Sequence, residues 1–163
     1  GRKSGNLRGN YTYDMDGNEI SCLTDYFDVV NIREIEDARF LNQPMFYNVT
    51  LGNGNSVYVS TGNIRRSQFA DIANRAKGKV TIVSGMHGDA NGNLLREYNG
   101  VTGRQLLQED LKAWGNSNNV RICDVSQLTP KELKKIIQTS DHVICGWCFS
   151  ERSKLLLEAL GLY

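Results

Sequence analysis

An α/β fold, a three-layer sandwich with a mostly parallel sheet and an N-terminal β-hairpin, is predicted by three features of this sequence. Two β-rich runs flank Gly52, Asn53, Gly54 and Asn55; short apolar runs then alternate with stretches at helical spacing; and several of those stretches begin or end on capping residues. Continuous apolar strands separated by helices imply a parallel sheet covered on both faces and wound right-handedly.

Residues 1–20, GRKSGNLRGNYTYDMDGNEI, are rich in Gly, Asn and Arg and nearly devoid of aliphatic side chains, so they are expected to form a flexible tether. Residues 21–163 then form a single α/β effector domain. In MFYNVTLGNGNSVYVSTG the two runs from Met45 read as the hairpin. In RRSQFADIANRAKG, Phe69, Ile72, Ala73 and Ala76 share a helical face that closes at Gly78. KVTIVSGMHG is a strand broken by Gly85, and GRQLLQEDLKAWG a helix with Leu107, Leu111 and Trp114 on one stripe. NVRICDV is the next strand. TPKELKKIIQ carries a capping box in Thr129 and Glu132, with Pro130 at the first helical position. DHVICGWC is the last strand, and SERSKLLLEALG the last helix, capped by Ser150.

Composition removes some functional classes. Nineteen basic residues against eighteen acidic ones leave a net charge of +1, so no global field draws nucleic acid to the chain. The apolar runs are far shorter than the ~20 residues a membrane helix needs, so no membrane partner is expected. Because the chain opens on Gly1 rather than Met, it reads as a piece of a larger protein. Four cysteines, Cys22, Cys123, Cys145 and Cys148, do not make a disulfide scaffold at this size; Cys123 and Cys145 lie inside strand-like runs and read as small buried hydrophobes.

Chemistry in open parallel sheets collects beyond the carboxyl ends of the strands. Four segments reach that edge: STGNIRRS, SGMHGDANGN, DVSQ and WCFSER. His142 opens its strand, about 20 Å from Cys148 at ~3.3 Å per residue, and is a packing residue. His87 sits instead at the carboxyl end of its own strand, where it can meet Cys148 if the two strands are neighbours. Cys148 precedes the helix opening at Ser150, whose N–H groups and dipole would lower the thiol pKa. A thiolate beside an imidazole is an activated nucleophile. Asp89, Asp124 or Ser84 would orient the ring, with Asp89 the choice for the catalytic set. Backbone N–H groups of Gly88 and Asp89 would form the oxyanion pocket, while Ser60, Arg65 and Arg66 would bind an acidic substrate group or a phosphate.

Two stretches resemble known families. YTYDMDGN, Tyr11 to Asn18, resembles the YD repeat of Rhs-type polymorphic toxins, whose repeat shell ends in a variable toxin domain. That resemblance implies delivery of the domain into a target cell as part of a larger secreted protein, and a cognate immunity protein as partner. SGMHGD and GWCFS resemble the His-Gly and strand-end Cys signatures of caspase-like (clan CD) peptidases, which implies an α/β sandwich with both residues on neighbouring strand ends. The chain departs from that pattern because VRICDV and a helix intervene between the two strands, so Cys123 stays open as the reactive thiol beside Cys148.

The favoured reading is a toxin-like, Cys-His dependent hydrolase of the peptidase or amidase class, acting on a protein or small-molecule substrate and requiring no cofactor or metal. Beside it stand a reading without chemistry, in which Cys145 and Cys148 are core and strand-end thiols and His87 decorates a glycine-rich turn, and three others. The first is a nucleotide-directed toxin that consumes NAD or transfers ADP-ribose, supported by STGNIRRS. The second is a non-enzymatic protein-binding module. The third is a zinc site built from Cys145, Cys148 and His87, which lacks the His-x-Glu of nucleobase deaminases.

Overall fold

The computed structural model describes residues 29–30 and 46–162. Strand β1 (Val29–Val30) pairs antiparallel with β2 (Phe46–Thr50), which turns back through a short loop into β3 (Ser56–Ser60). That second pair is the hairpin expected around Gly52 to Asn55. Its loop is closed by bonds from Leu51 N to Asn55 O, 2.8 Å, and from Gly54 N to Leu51 O, 2.9 Å. The tether, Cys22 and the YD-like stretch lie outside the described residues.

The chain then alternates through α1 (Arg66–Arg75), β4 (Val80–Ser84), two small hairpins, and α2 (Gly103–Trp114). The small hairpins pair β5 (His87–Gly88) with β6 (Leu94–Leu95), and β7 (Glu97–Tyr98) with β8 (Val101–Thr102). Next come β9 (Val120–Asp124), a 3-10 turn at Val125–Gln127, α3 (Pro130–Thr139), β10 (His142–Cys145), a 3-10 turn at Ser150–Arg152, and α4 (Lys154–Ala159). The Thr129 and Glu132 capping box is formed as expected, with Pro130 at the helix start.

Some boundaries differ from the sequence expectation, each for a local reason. The first helix ends on an extended Ala76, so Gly78, at φ +94°, lies beyond the cap rather than in it. On α2, Leu111 is exposed and Asp110 is buried, because Arg66 reaches across from α1 to pair with that carboxylate. The last strand stops at Cys145, and no α-helix begins at Ser150; α4 is capped at Ser153 instead.

The main sheet runs β1-β2-β3-β10-β4-β9, with β3, β10, β4 and β9 mutually parallel. The two faces bury separate cores. Phe69 and Ile72 of α1 and Trp114 of α2 cover one face with Phe46, Tyr58, Ile82 and Ile144. Leu133 and Ile137 of α3 and Leu156, Leu157 and Ala159 of α4 cover the other with Val57, Val59, Val83 and Val143. Each such fully buried aliphatic or aromatic side chain contributes about 1.5–3 kcal/mol, which is what holds the three layers.

This winding decides where a ligand can enter. The chain leaves β4 toward α2 on one face, and leaves β10 toward α4 on the other. Adjacent parallel strands whose connections depart to opposite faces open a crevice at their carboxyl ends. The segments carrying His87 and Cys148 follow the carboxyl ends of those two strands.

Candidate active site

Beyond β10 the chain is fixed in place at nearly every residue. Gly146 N donates to Val83 O at 2.8 Å, and Trp147 is buried in the core beneath α3 and α4. Two serines lock the segment around the thiol. Ser60 N donates to Ser150 Oγ at 2.7 Å, Ser150 N donates to Ser60 Oγ at 3.2 Å, and Ser60 Oγ donates to Trp147 O at 2.9 Å. Ser60 is fully buried, so its hydroxyl builds the cysteine segment instead of facing a substrate. Phe149 takes left-handed backbone at φ 56° and ψ 34°, a strained choice for a bulky residue, held by its N–H donating to Gly62 O at 3.0 Å.

Cys148 sits half-buried inside this clamp. Burial pushes its thiol up from the ordinary 9.0, and two opposing influences draw it down, a backbone hydrogen bond from Ile64 and the positive charge of Arg66. The expectation of a lowered pKa from a helix at Ser150 is therefore corrected on both counts. A single 3-10 turn stands there in place of an α-helix, and the stabilising groups, the Ile64 backbone and Arg66, come from the start of α1. Cys145 is fully buried, and burial alone pushes its thiol far upward. Cys123 is half-buried on β9 in register with Val83, so it flanks β4 from the side opposite β10.

Arg66 is occupied by the fold. Its Nε donates to Asp110 Oδ1 at 2.9 Å, and its Nη2 to Ser84 Oγ at 3.1 Å and Leu106 O at 3.2 Å, besides a direct ion pair with Asp110 Oδ2. The guanidinium also lies 5.1 Å over the Phe69 ring. It acts on Cys148 by charge, whereas its Nε and Nη2 are already committed to α2 and β4. Arg65 is exposed at the N-cap of α1, where its N–H donates to Gln68 Oε1 at 2.7 Å.

The histidine segment approaches from β4. Gly85, at φ +112°, makes a turn that a side chain would oppose, since a Cβ there would lie 2.8 Å from Asp124 Oδ1. Gly88 then rests directly on the carbonyl of Cys148; a Cβ at Gly88 would overlap that oxygen and crowd Trp147. The two segments therefore touch backbone to backbone, as adjacency of β4 and β10 requires.

The His87 ring is half-buried and tilted against Tyr98 at 5.9 Å between centroids. Its Nε2 bonds the Val101 carbonyl at 2.8 Å. A carbonyl only accepts, so Nε2 carries the hydrogen, and in the neutral ring Nδ1 holds the lone pair. The orienting group is thus a backbone oxygen. Asp89 is turned elsewhere: its Oδ1 accepts from Asn91 N and Asn93 N, each at 2.9 Å, and its own N–H donates to Asn93 O at 3.1 Å. That N–H is engaged and does not face an oxyanion pocket. Asp124, at the end of β9, accepts from Ser126 N at 3.0 Å and caps the 3-10 turn.

The structure sets the His87-Gly88 segment on the carbonyl of Cys148, with Ser60 bonded to the segment on either side of the thiol and the Asp89 carboxylate turned into its own hairpin loop. No hydrogen bond links His87 to Cys148 among the described residues. His142 lies at the far end of β10, where its Nε2 bonds Lys77 O at 2.9 Å. No group of three His, Cys, Asp or Glu able to hold a metal ion occurs among the described residues. Sequence reasoning missed the Val101 carbonyl, the Asp110 counter-charge and the buried run Ser150-Glu151-Arg152-Ser153. Only the last left a signal, four polar residues wedged between an apolar strand and an apolar helix.

The described residues form an α/β sandwich in which the segment carrying His87 meets the segment carrying Cys148 beyond two neighbouring parallel strands. A family model described as a toxin with a H, D/N and C signature matches residues 53–163, well over half of the chain. The chain belongs to that toxin family. No curated protein and no solved structure matches it.

Proposed function

We propose that this toxin domain is a cysteine-dependent hydrolase of the peptidase or amidase class, with Cys148 as nucleophile and His87 as the base that serves it. One observation carries the reading: the His87-Gly88 segment packs directly on the carbonyl of Cys148, in a family named for its histidine and cysteine. In the first step the Cys148 proton passes to His87 Nδ1 and the sulfur attacks a carbonyl carbon. The imidazolium then returns the proton to the departing amine as the carbon–nitrogen bond breaks. Water attacks the thioester, restores the thiol and releases the acid. The Val101 carbonyl keeps the ring in the tautomer that this sequence uses. Burial keeps the resting thiol protonated, so proton transfer to His87 belongs to the reaction itself.

The same reading places the domain at the end of a larger polymorphic toxin of the Rhs type, delivered into a target cell, with an immunity protein covering the strand-end crevice. Kinship with caspase-like peptidases belongs to this proposal. Arg66 is engaged with Asp110 and Ser84, which leaves Arg65, exposed at the start of α1, as the cation of the phosphate-binding alternative.

The test is expression of wild type, Cys148→Ser and His87→Ala in a bacterial host, scoring growth. Both variants should be harmless while remaining folded by circular dichroism. Equal toxicity of all three would discard the pair, and loss in the histidine variant alone would favour nucleotide chemistry.

A further inference from the structure

We propose, building on the reading of Cys148 as nucleophile, that Arg152 is a positioning residue that holds the histidine-bearing loop onto the cysteine-bearing loop, with Glu151 as its buried counter-charge. Arg152 is only 3% exposed, and its Nη1 donates to Ala90 O at 2.9 Å. Ala90 lies three residues after His87, and Arg152 four after Cys148, so one side chain spans both loops. Its guanidinium stands 5.6 Å over the ring of Phe149, the strained residue next to the thiol. The neighbouring backbone completes the contact. Lys154 N donates to Gly92 O at 3.3 Å, and Gly92 lies so close to the Arg152 carbonyl that a Cβ would not fit.

The counter-charge is built in. Glu151 is fully buried, its Oε1 accepts the Tyr47 hydroxyl at 2.8 Å, and its Oε2 stands 3.6 Å from Arg152 Nη2. Buried ion pairs are poor stabilisers, since well-packed apolar residues of similar volume often do as well or better. What a guanidinium supplies that an apolar side chain does not is a planar set of donors with fixed direction. Here that direction is toward the loop that follows the candidate base.

A consequence separates this role from simple core filling. The loop from Gly88 to Gly92 rests on the backbone carbonyls of Cys148 and Arg152, so lifting it loosens the cysteine segment, whose burial is the chief reason the thiol is held protonated. Removing the charged hydrogen bond should raise the population of the lifted loop roughly ten- to a hundredfold. The cysteine should then react faster with a small electrophile even as toxicity falls. Cys145, fully buried in the core, reports whether the whole domain has opened.

The experiment alkylates the intact chain with iodoacetamide and follows Cys148 and Cys145 separately by peptide mass spectrometry. The main variant is the charge-neutral double change Glu151→Gln with Arg152→Met; Arg152→Lys, which keeps the charge and one donor within reach of Ala90, is the second. Expected are at least tenfold faster labelling of Cys148 in the double variant, a silent Cys145, weakened growth inhibition, and partial return of both properties in Arg152→Lys. Unchanged labelling of Cys148 would overturn the proposal, as would parallel labelling of both cysteines, which marks general unfolding. Should the double variant fail to fold, Arg152→Lys decides alone: Cys148 labelling faster than wild type with a silent Cys145 supports the donor role, and wild-type labelling of Cys148 or parallel labelling of both cysteines refutes it. Persistent toxicity of Cys148→Ser would instead sink the nucleophile reading, and the labelling comparison would still judge the clamp.

Discussion

The loop that carries Cys148 is anchored to partners 87 to 90 residues away in sequence, through the reciprocal Ser60 and Ser150 bonds, whereas the loop that carries His87 is closed mostly by its own short hairpins. Local closure demands little ordering of distant chain, so such a loop opens at low free energy while the surrounding core stays intact. The exposures agree. Ser150 to Ser153 are buried, and Tyr98 and Val101 on the second hairpin are 56% and 36% exposed. A firmly anchored cysteine segment beside a more locally closed histidine segment is the arrangement that this contrast reveals. It also implies that damage to the first loop harms folding more than damage to the second.

The largest effect should come from beneath the fixed loop. Asp110→Ala leaves the Arg66 guanidinium without its buried carboxylate, and loss of one partner of a buried pair costs about 3–5 kcal/mol, measurable as an earlier urea midpoint. Ser60→Ala removes a donor to Trp147 O and the acceptor for Ser150 N, and each buried group so orphaned costs about 1–3 kcal/mol, readable in the same titration. If Ser60→Ala unfolds at the wild-type midpoint, the contrast between the loops is broken.

A smaller effect is expected from pH. The folded Cys148 thiol keeps its proton where the unfolded thiol has begun to lose it, so above 9.0 the unfolded state binds fewer protons. Stability is complete below that value and falls as pH rises past it. Denaturation series at pH 8 and pH 10 should show a smaller loss in Cys148→Ser than in wild type. The smallest effect should be at the exposed hairpin: Tyr98→Ala changes stability by less than about 0.5 kcal/mol. A clear drop in its thermal midpoint would show that the histidine loop is held as firmly as its neighbour.

Much of the fold was legible from short-range pattern. The hairpin around Gly52 to Asn55, the α3 capping box, and the alternation of strands with helices all rest on residues within one or two turns of each other. The candidate site was legible only as a set of strand ends. That Cys148 would lie at one was readable from DHVICGWC. That Asp89 would close its own Asx-type loop was hidden, because a carboxylate next to a histidine looks the same in sequence whether it orients the ring or caps a turn. The buried Asp110 was hidden as well, since its partner lies 44 residues earlier on another helix. The burial of Glu151 contradicts the usual place of a charged residue, and Tyr47 and Arg152 are brought beside it from elsewhere in the fold.

Sequence by itself determined which segments are strands and helices, where several of them stop, and which two residue types capable of nucleophile and base chemistry fall at strand ends. These depend on side-chain alternation, capping and turn geometry, forces that act over a few residues. The tertiary structure alone decided that β10 inserts beside β4, that Gly88 meets the Cys148 carbonyl, and that Val101 rather than Asp89 orients the imidazole. Strand order and loop contact are set by the packing of whole layers, where the free energy belongs to surfaces assembled from distant parts of the chain.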